Sequence, residues 1–312
     1  MAKKRKAVNR RKPTSGGSRP LLAVLIVVLL ISAAFFLLER SRSFAPPAKV
    51  ETGAGTSQHL PLPERPPVQQ VLSSVQVPVP QPHPATAPRQ NESARIAIVI
   101  DDMGSSMEQL QTLLSIELPL TYAVIPGLAH AKRVAETAHK AGAEVMVHMP
   151  MEPEGYPQQR LESNGLLLAM DDAEIVKRVN GYFNTVPFAA GANNHMGSRF
   201  TQSAEKMEVV LKVLKGKGVF FVDSRTSPAS AGYKTARSLG LSCATRQVFL
   251  DNVQDDAAIG KQLDEAVAIA RKRGAAIAIC HPHPSTLRVL KALMPELSRS
   301  GITFVYASAL TS

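Results

Sequence analysis

Two adjacent carboxylates follow an apolar, mostly β-branched run near residue 100 of the chain. The run extends from Ile96 to Ile100, and Asp101 and Asp102 follow it directly, before Gly104 and a helical pattern. This pattern predicts a buried parallel strand that delivers two acids to the carboxyl edge of a sheet, where α/β proteins place ligands and catalytic groups. Successive side chains of an extended strand point to opposite faces. We therefore expect the two acids to have different tasks at one site, for example as a base and as a metal ligand.

Five further apolar segments of the chain also end in Asp or His. The residues at these ends are His148, His195, Asp223, Asp251 and His281. A single Asp at the end of a strand is usually a turn or capping residue, and a single His is usually a hydrogen-bonded structural residue. Six such endings at one edge indicate instead a site with carboxylate and imidazole ligands, which suits zinc or a similar divalent ion.

The elements that must position these residues alternate between short apolar strands and amphipathic helices. We predict strands over 95–101, 120–126, 144–150, 189–196, 219–224, 247–252, 275–281 and 302–307. Helices are predicted over 105–116, 130–141, 172–184, 203–217, 232–239, 256–273 and 285–299. Repeated β-α units predict an α/β fold with a parallel sheet, either open or closed into a barrel.

The part of the chain before residue 94 has a different composition. Residues 1–20 carry eight Lys and Arg and no acid, which indicates a basic cytoplasmic tail. Leu21–Leu38 is an apolar run of 18 residues broken only by Ser32, and this length is sufficient for a transmembrane anchor. Eleven prolines fall within residues 44–93, so we interpret 39–93 as a Pro-rich linker. Residues 94–312 are then the catalytic domain.

The order of these segments predicts where the protein resides. Because the basic cluster precedes the apolar run, the N-terminus stays in the cytoplasm. We expect a single-pass protein of the bacterial inner membrane, in contact with lipid through residues 21–38, with a periplasmic catalytic domain. A cleaved signal peptide is the alternative, but Glu39 and Arg40 stand where its cleavage site needs small residues. The formal charge of residues 94–312 is only +2, which argues against a nucleic-acid partner.

The strings at the strand ends carry a family resemblance. They are VIDDMG at 99–104, HMPMEP at 148–153, NNHMGS at 193–198, DSRTSP at 223–228 and CHPHP at 280–284. With these motifs, residues 95–310 resemble the polysaccharide deacetylase superfamily (NodB homology, carbohydrate esterase 4), and in particular its divergent branch. The resemblance implies a distorted (β/α) barrel of about seven parallel strands.

The resemblance also implies roles for four residues. These are Asp101 as the general base, Asp102 and His148 as metal ligands, and His281 as the general acid. The family's second imidazole ligand stands four residues after the first, where this chain has Glu152. Either Glu152 coordinates the metal or His195 supplies the imidazole. We favour His195, because divalent sites with two His and one carboxylate are common.

Other polar residues close to the strand ends are candidates for binding substrate or for orienting the ligands. They are Glu152, Asn193, Asn194, Arg199, Asp223 and Arg225. His283 competes with His281 for the role of the acid, and we favour His281 because it directly follows the apolar run. Cys243 and Cys280 either pair in an oxidising compartment or remain as two buried thiols.

Together these features predict a metal-dependent hydrolase that removes acetyl groups from a polysaccharide or a cell-wall glycan, with zinc as the expected metal. Asp101 would accept the proton of the attacking water, and His281 would protonate the departing group. The altered second ligand motivates a different hypothesis, in which the domain acts as an envelope binding or assembly module. A metallohydrolase for some other bond is a third. The sequence contains no Gly-x-Ser-x-Gly motif and no phosphate-binding loop.

Overall fold

The structure is a computed structural model that describes residues 94–312. The predicted tail, anchor and linker at residues 1–93 lie outside this described part. Between residues 94 and 312, no helix combines the length and the hydropathy that a bilayer-spanning segment needs.

Short strands alternate with helices along residues 94–312. The strands are β1 (Arg95–Met103), β2 (Thr121–Val124), β3 (Glu144–Met151), β4 (Gly191–Met196), β5 (Phe220–Asp223), β6 (Cys243–Thr245), β7 (Val248–Phe249), β8 (Ala275–Cys280) and β9 (Thr303–Phe304). The helices are α1 (Met107–Leu114), α2 (Ala131–Lys140), α3 (Asp172–Thr185), α4 (Ala204–Lys217), α5 (Gly232–Ser238), α6 (Asp256–Arg273) and α7 (Pro284–Arg299). Two 3₁₀ helices cover Phe200–Gln202 and Ala307–Leu310. Every predicted strand and helix of this region is present, and the predicted and observed ends differ by at most three residues.

The strands form one parallel sheet whose order is β6-β5-β4-β3-β2-β1-β8-β7, and β9 pairs with the start of β1. Since β6 and β7 end this path without pairing with each other, the sheet is a half-barrel that is open between them. The predicted parallel α/β architecture is confirmed, with eight strands on the path instead of about seven. The strand that the sequence did not predict is β6, which has three residues and lies outside any apolar run.

Strand β1 is buried on both faces, because the sheet has an apolar layer on each side. Ile96, Ile98 and Ile100 belong to the large cluster between the sheet and the helices. Ala97 and Val99 belong to a smaller cluster, which consists of strand residues and Ala307. A strand covered on both faces reads as a continuous apolar run rather than as an alternating one. The two acids therefore follow a segment that packing holds rigidly on both sides.

The two cysteines do not pair. Cys243 in β6 and Cys280 in β8 are both free and buried. Burial raises the pKa of the Cys280 thiol well above its usual value, which is typical of a structural cysteine rather than a reactive one. Of the two alternatives for the cysteines, the pair of buried thiols is confirmed.

Candidate metal centre and active site

The end of β1 turns both carboxylates toward the same imidazole. Asp101 Oδ2 lies 3.5 Å from His148 Nε2, and Asp102 Oδ1 lies 3.2 Å from the same nitrogen. The expectation that the two side chains point to opposite faces is wrong here, because the backbone at Asp102 is left-handed, with φ of 56°. The register between β1 and β2 shifts at this point, between Ile100 and Met103. This irregularity places two acids at one site without making them equivalent, since Asp101 is buried and Asp102 is about one-third exposed.

Three ligand-type atoms converge next to Asp101. His195 Nδ1 lies 2.8 Å from Asp102 Oδ1 and 3.2 Å from His148 Nε2, which itself lies 3.2 Å from Asp102 Oδ1. Tetrahedral zinc with ligands at 2.0–2.1 Å requires ligand atoms about 3.3 Å apart. Asp102 Oδ1 is also buried and has no partner in hydrogen-bond geometry. One carboxylate oxygen and two ring nitrogens at these separations fit a small divalent ion.

The neighbouring imidazoles and burial shift the pKa values of the two acids in opposite directions. Burial works to raise the pKa of Asp102, but contacts with His148 and His195 outweigh it and hold this pKa far below its usual range. Burial has the larger effect at Asp101, whose pKa is raised in spite of the opposing charge of His148. Asp102 therefore remains an anion suited to a cation, while Asp101 has an increased affinity for a proton.

Asn193 connects the cluster to Asp101. Its side chain is fully buried, its Oδ1 lies 2.7 Å from His148 Nδ1, and its Nδ2 donates to Asp101 Oδ1 over 2.7 Å. An amide oxygen only accepts hydrogen bonds, so His148 carries a proton on Nδ1, and Nε2 is the nitrogen that faces Asp102 and is placed to bind a metal. One side chain thus fixes both the tautomer of an imidazole and the orientation of the neighbouring carboxylate.

His281 faces the cluster from β8, on the opposite side of β1 from β3. Its Nε2 lies 3.8 Å from Asp102 Oδ2, and its Nδ1 lies 3.1 Å from Asp251 Oδ1. Asp251 Oδ2 accepts hydrogen bonds from the His281 backbone N–H at 2.7 Å and from the Thr286 hydroxyl at 2.8 Å. Burial works to lower the pKa of His281, but the bond to Asp251 and the charge of Asp101 raise it to about 9. The ring is therefore protonated at neutral pH, with one N–H directed toward the cluster.

Glu152, the alternative third ligand, is engaged elsewhere. Its Oε1 lies 2.8 Å from Arg199 Nη1, and its Oε2 accepts a hydrogen bond of 2.7 Å from the Leu168 backbone N–H. Glu152 is buried with both oxygens paired. Of the two candidates that the sequence left open, His195 is the one that lies beside Asp102.

Comparison with known proteins points to the same family as the motifs at the strand ends. The model of the divergent polysaccharide deacetylase family matches residues 98–311. The chain belongs to this family. Its relatives include the uncharacterized protein YibQ of Escherichia coli K12, which is 38% identical over 218 residues, covering 70% of this chain and 67% of YibQ. An uncharacterized protein of Haemophilus influenzae Rd is 37% identical over 204 residues, covering 65% of this chain and 72% of its own length.

A solved structure supports the fold. The crystal structure of an uncharacterized protein from Agrobacterium tumefaciens C58 superimposes with a TM-score of 0.67 at 25% sequence identity, covering 71% of this chain and 90% of that protein. The family resemblance that the motifs predicted is confirmed. The half-barrel is the fold that brings the strand-end residues of these motifs together.

Three of the predicted substrate or supporting residues shape a loop instead of entering the cluster. Asn194 Oδ1 accepts from the Ser224 N–H at 2.9 Å. Asp223 Oδ1 accepts from the Arg225 N–H at 2.8 Å, and Asp223 Oδ2 accepts from the Ser230 hydroxyl at 2.8 Å. The Arg225 side chain is exposed and donates only a long bond of 3.4 Å to a carbonyl of the same loop. These contacts hold the 224–233 loop beside the site, and the roles of the three residues toward a substrate stay predictions.

His283 lies beside His281 and contacts Gln254 rather than Asp102. Its ring centroid is 5.6 Å from that of His281, and its Nε2 contacts the side chain of Gln254 at 3.0 Å. It precedes α7 as the N-cap residue. His281 is thus the imidazole that faces Asp102, as its position directly after the apolar run predicted.

Sequence reasoning missed two acids of this site. Asp251 was recognised as a strand end but received no role, although a carboxylate that follows a strand next to β8 is a natural partner for His281. Glu162 was not considered, yet its Oε2 lies 3.7 Å from His195 Nε2. It lies in the irregular segment between β3 and α3, where no periodic pattern predicts which way a side chain points.

Proposed function

We propose that this protein is a metal-dependent hydrolase that removes acetyl groups from a polysaccharide or a cell-wall glycan. The observation that carries the proposal is the convergence of Asp102, His148 and His195 on one point, with Asp101 and His281 close by. Asp101 Oδ2 lies 3.5 Å from His148 Nε2, and His281 Nε2 lies 3.8 Å from Asp102 Oδ2. Membership of the divergent polysaccharide deacetylase family supports the acetylated glycan as the substrate class.

The metal that suits this centre is zinc. Asp102, His148 and His195 would hold it, and three protein ligands leave a coordination position open, as catalytic zinc sites require. A bound zinc ion lowers the pKa of water to about 7 and polarises a carbonyl oxygen. The remaining chemistry belongs to side chains of the chain itself.

Asp101 has the properties of the general base. Its Oδ1 is held by Asn193, so that Oδ2 remains available, and burial raises the pKa of its carboxyl. A raised pKa makes the carboxylate a better acceptor for the proton of the water that attacks the acetyl carbonyl. The bond to Asn193 keeps the accepting oxygen in place during this transfer.

His281 has the properties of the general acid. It is protonated at neutral pH because its pKa is about 9, and the bond to Asp251 leaves the Nε2 proton directed toward the cluster. Breaking the bond to the acetyl group leaves an electron pair on the glycan nitrogen or oxygen, and His281 donates a proton to that atom. Asp101 gains one proton in the first step and His281 loses one in the second, so solvent exchange restores both groups.

The location of the enzyme is part of the proposal. The basic residues 1–20 and the apolar segment 21–38 support an anchor in lipid of the bacterial inner membrane, with the hydrolase in the periplasm. The formal charge of only +2 on residues 94–312 supports a neutral glycan, rather than a nucleic acid, as the partner.

The hypothesis of an envelope binding or assembly module was motivated by Glu152 at the position of the family's second imidazole. His195 now provides an imidazole at the cluster, and Glu152 pairs with Arg199. The replacement at position 152 therefore no longer argues for a binding module, and the hydrolase is the function that we propose.

The test uses the full chain purified in detergent, stripped of metal and reloaded with zinc. Zinc binding is measured by competition with a chromophoric chelator, and acetate release is measured with acetylated chito-oligosaccharides and with peptidoglycan. We expect about one zinc ion per chain. Asp101→Asn should retain zinc and lose about 10²–10⁴-fold in kcat.

The same assay distinguishes the two candidates for the third ligand. His195→Ala should weaken zinc binding by about 100-fold or more, whereas Glu152→Gln should bind zinc as the wild type does. A wild-type chain that binds no zinc would refute the proposal. Glycan binding without acetate release, unaffected by Asp101→Asn, would favour the binding module instead.

A further inference from the structure

His195 lies between two carboxylates, one on each ring nitrogen. Its Nδ1 lies 2.8 Å from Asp102 Oδ1, and its Nε2 lies 3.7 Å from Glu162 Oε2. Since the two nitrogens point away from each other across the ring, Glu162 does not join the three converging ligand atoms. It stands behind His195, on the side away from Asp102.

The oxygen of Glu162 that faces His195 lacks any other partner among the described residues. Glu162 Oε2 is buried and makes no hydrogen bond, although a buried carboxylate oxygen normally has one. The ring nitrogen that faces it is His195 Nε2. At 3.7 Å the contact is longer than a hydrogen bond, and a small rotation of the glutamate side chain brings the two atoms within bonding distance.

The backbone that carries Glu162 is fixed by side chains from elsewhere in the fold. Arg178 Nη1 donates to the carbonyls of Ser163 and Gly165, at 3.2 and 2.7 Å. Asn164 Nδ2 donates to the carbonyl of Pro126 at 2.8 Å, and the Gly165 N–H donates to the carbonyl of Glu162 itself at 2.8 Å. The turn that follows Glu162 is therefore held in place, and only its side chain needs to move.

We propose that Glu162 is a positioning residue for the metal centre, which accepts the Nε2 proton of His195 and so leaves Nδ1 as the nitrogen that binds the metal. The inference rests on the proposed zinc site. His148 obtains the equivalent support from Asn193, on its Nδ1, so the two imidazoles would face the metal through different nitrogens. Carboxylates behind metal-bound imidazoles have this effect in other metal sites, where their loss weakens metal binding about 10–100-fold.

The test compares Glu162→Leu, which removes the acceptor, with Glu162→Gln, whose amide oxygen still accepts a hydrogen bond. The matched control is Glu154→Ala, since Glu154 lies in the same loop and its exposed carboxylate pairs with Gln202 instead. Zinc affinity is measured by chelator competition, and the Nε2–H of His195 is followed in the zinc-loaded protein by ¹H–¹⁵N NMR, through its chemical shift and its exchange with solvent. Glu162→Ala replaces Glu162→Leu if the leucine variant does not fold.

We expect a downfield, slowly exchanging Nε2–H of His195 in the zinc-loaded wild type, in Glu162→Gln and in Glu154→Ala. Glu162→Leu should lose this hydrogen-bonded proton signal and bind zinc about 10–100-fold more weakly, while Glu162→Gln should recover most of the affinity. A wild type that binds zinc, beside a Glu162→Leu variant with the same affinity and the same Nε2–H exchange, would overturn the inference and leave the proposed function standing. A wild type that binds no zinc would refute both.

Discussion

Removal of the Asn193 side chain should damage both the fold and the metal centre. Asn193→Ala takes away the acceptor for His148 Nδ1 and the donor to Asp101 Oδ1, each at 2.7 Å in the structure. Both groups are buried, so water does not replace the lost partners. We expect lower stability of the metal-free protein, together with weaker zinc binding because the tautomer and orientation of His148 are released.

The size of the stability effect follows from the two lost bonds. A buried donor without its acceptor costs about 1–3 kcal/mol, and a hydrogen bond to a charged group contributes about 1.5–3 kcal/mol. We therefore expect the free energy of unfolding to fall by about 3–5 kcal/mol, a large part of the roughly 5–15 kcal/mol that stabilises a typical domain. The loss of support behind a metal-bound imidazole should weaken zinc binding about 10–100-fold.

The assay combines urea denaturation of the metal-free protein with zinc competition against a chelator. Asn194→Ala is the matched control, because Asn194 is the next residue of the same strand and makes a similar number of hydrogen bonds to the 224–233 loop and its surroundings. It should lose stability and keep the zinc affinity of the wild type. Equal zinc affinity for Asn193→Ala and Asn194→Ala would refute the role given to Asn193.

Three further changes test other parts of the structure. Asp251→Asn should lower the pKa of His281 from about 9 toward its ordinary value, because burial then acts without the opposing carboxylate; an NMR titration of the metal-free protein measures this. The raised pKa of His281 contributes folding stability that is fully present below about pH 6.5 and is lost as the pH rises through about 9. The free energy of unfolding of Asp251→Asn should therefore fall less over this pH range than that of the wild type. Gly191→Ala should lower the free energy of unfolding by about 1–3 kcal/mol, because the added Cβ would lie 2.5 Å from the Phe220 ring; urea denaturation measures it. The Cys280 thiol should not react with iodoacetamide in the native protein and should react in denaturant, since it is fully buried and its pKa is raised; mass spectrometry follows the label.

Each of these changes has a control and an outcome that contradicts it. Asp256→Asn removes a carboxylate that pairs with Arg288 on the surface, and it should leave the pKa of His281 unchanged; an equal shift in both variants would exclude a specific effect of Asp251. Gly216→Ala adds a Cβ that meets no atom within 4 Å and should stabilise α4 by about 0.5–1 kcal/mol. A stable Gly191→Ala variant would mean that the Phe220 ring moves freely. Labelling of Cys280 in the native state would show that β8 opens.

The sequence was sufficient for the fold because β1 and β8 are continuous apolar runs that end sharply in Asp or His. Parallel strands place their carboxyl ends at one edge, so the strand ends alone brought Asp101, Asp102, His148 and His281 to one place. Strand β6 was missed because its three residues, Cys243–Thr245, owe their pairing to neighbours that are distant in the chain.

The finer arrangement of the site depended on contacts that no local pattern encodes. The left-handed backbone of Asp102 is an exception to strand geometry, so the alternation rule failed there. Asp223 and Asn194 stand at strand ends like the cluster residues, but their hydrogen bonds go to a neighbouring loop. Glu162 reaches His195 only because a hydrogen-bonded turn, distant from β4 in sequence, brings it there.

The left-handed conformation at residue 102 also limits which amino acids a variant library could place there. Asp102 has a φ of 56°, a value that glycine and, among residues with a Cβ, Asn and Asp adopt most readily. The centre additionally needs an oxygen at a short reach from the backbone, which glycine lacks. A β-branched residue, although common in strands, is strained at this φ and has no carboxylate to offer the metal. Full randomisation of this codon, selected for zinc binding, should therefore return Asp most often, because Asp combines tolerance of a left-handed backbone with an anionic oxygen at this reach.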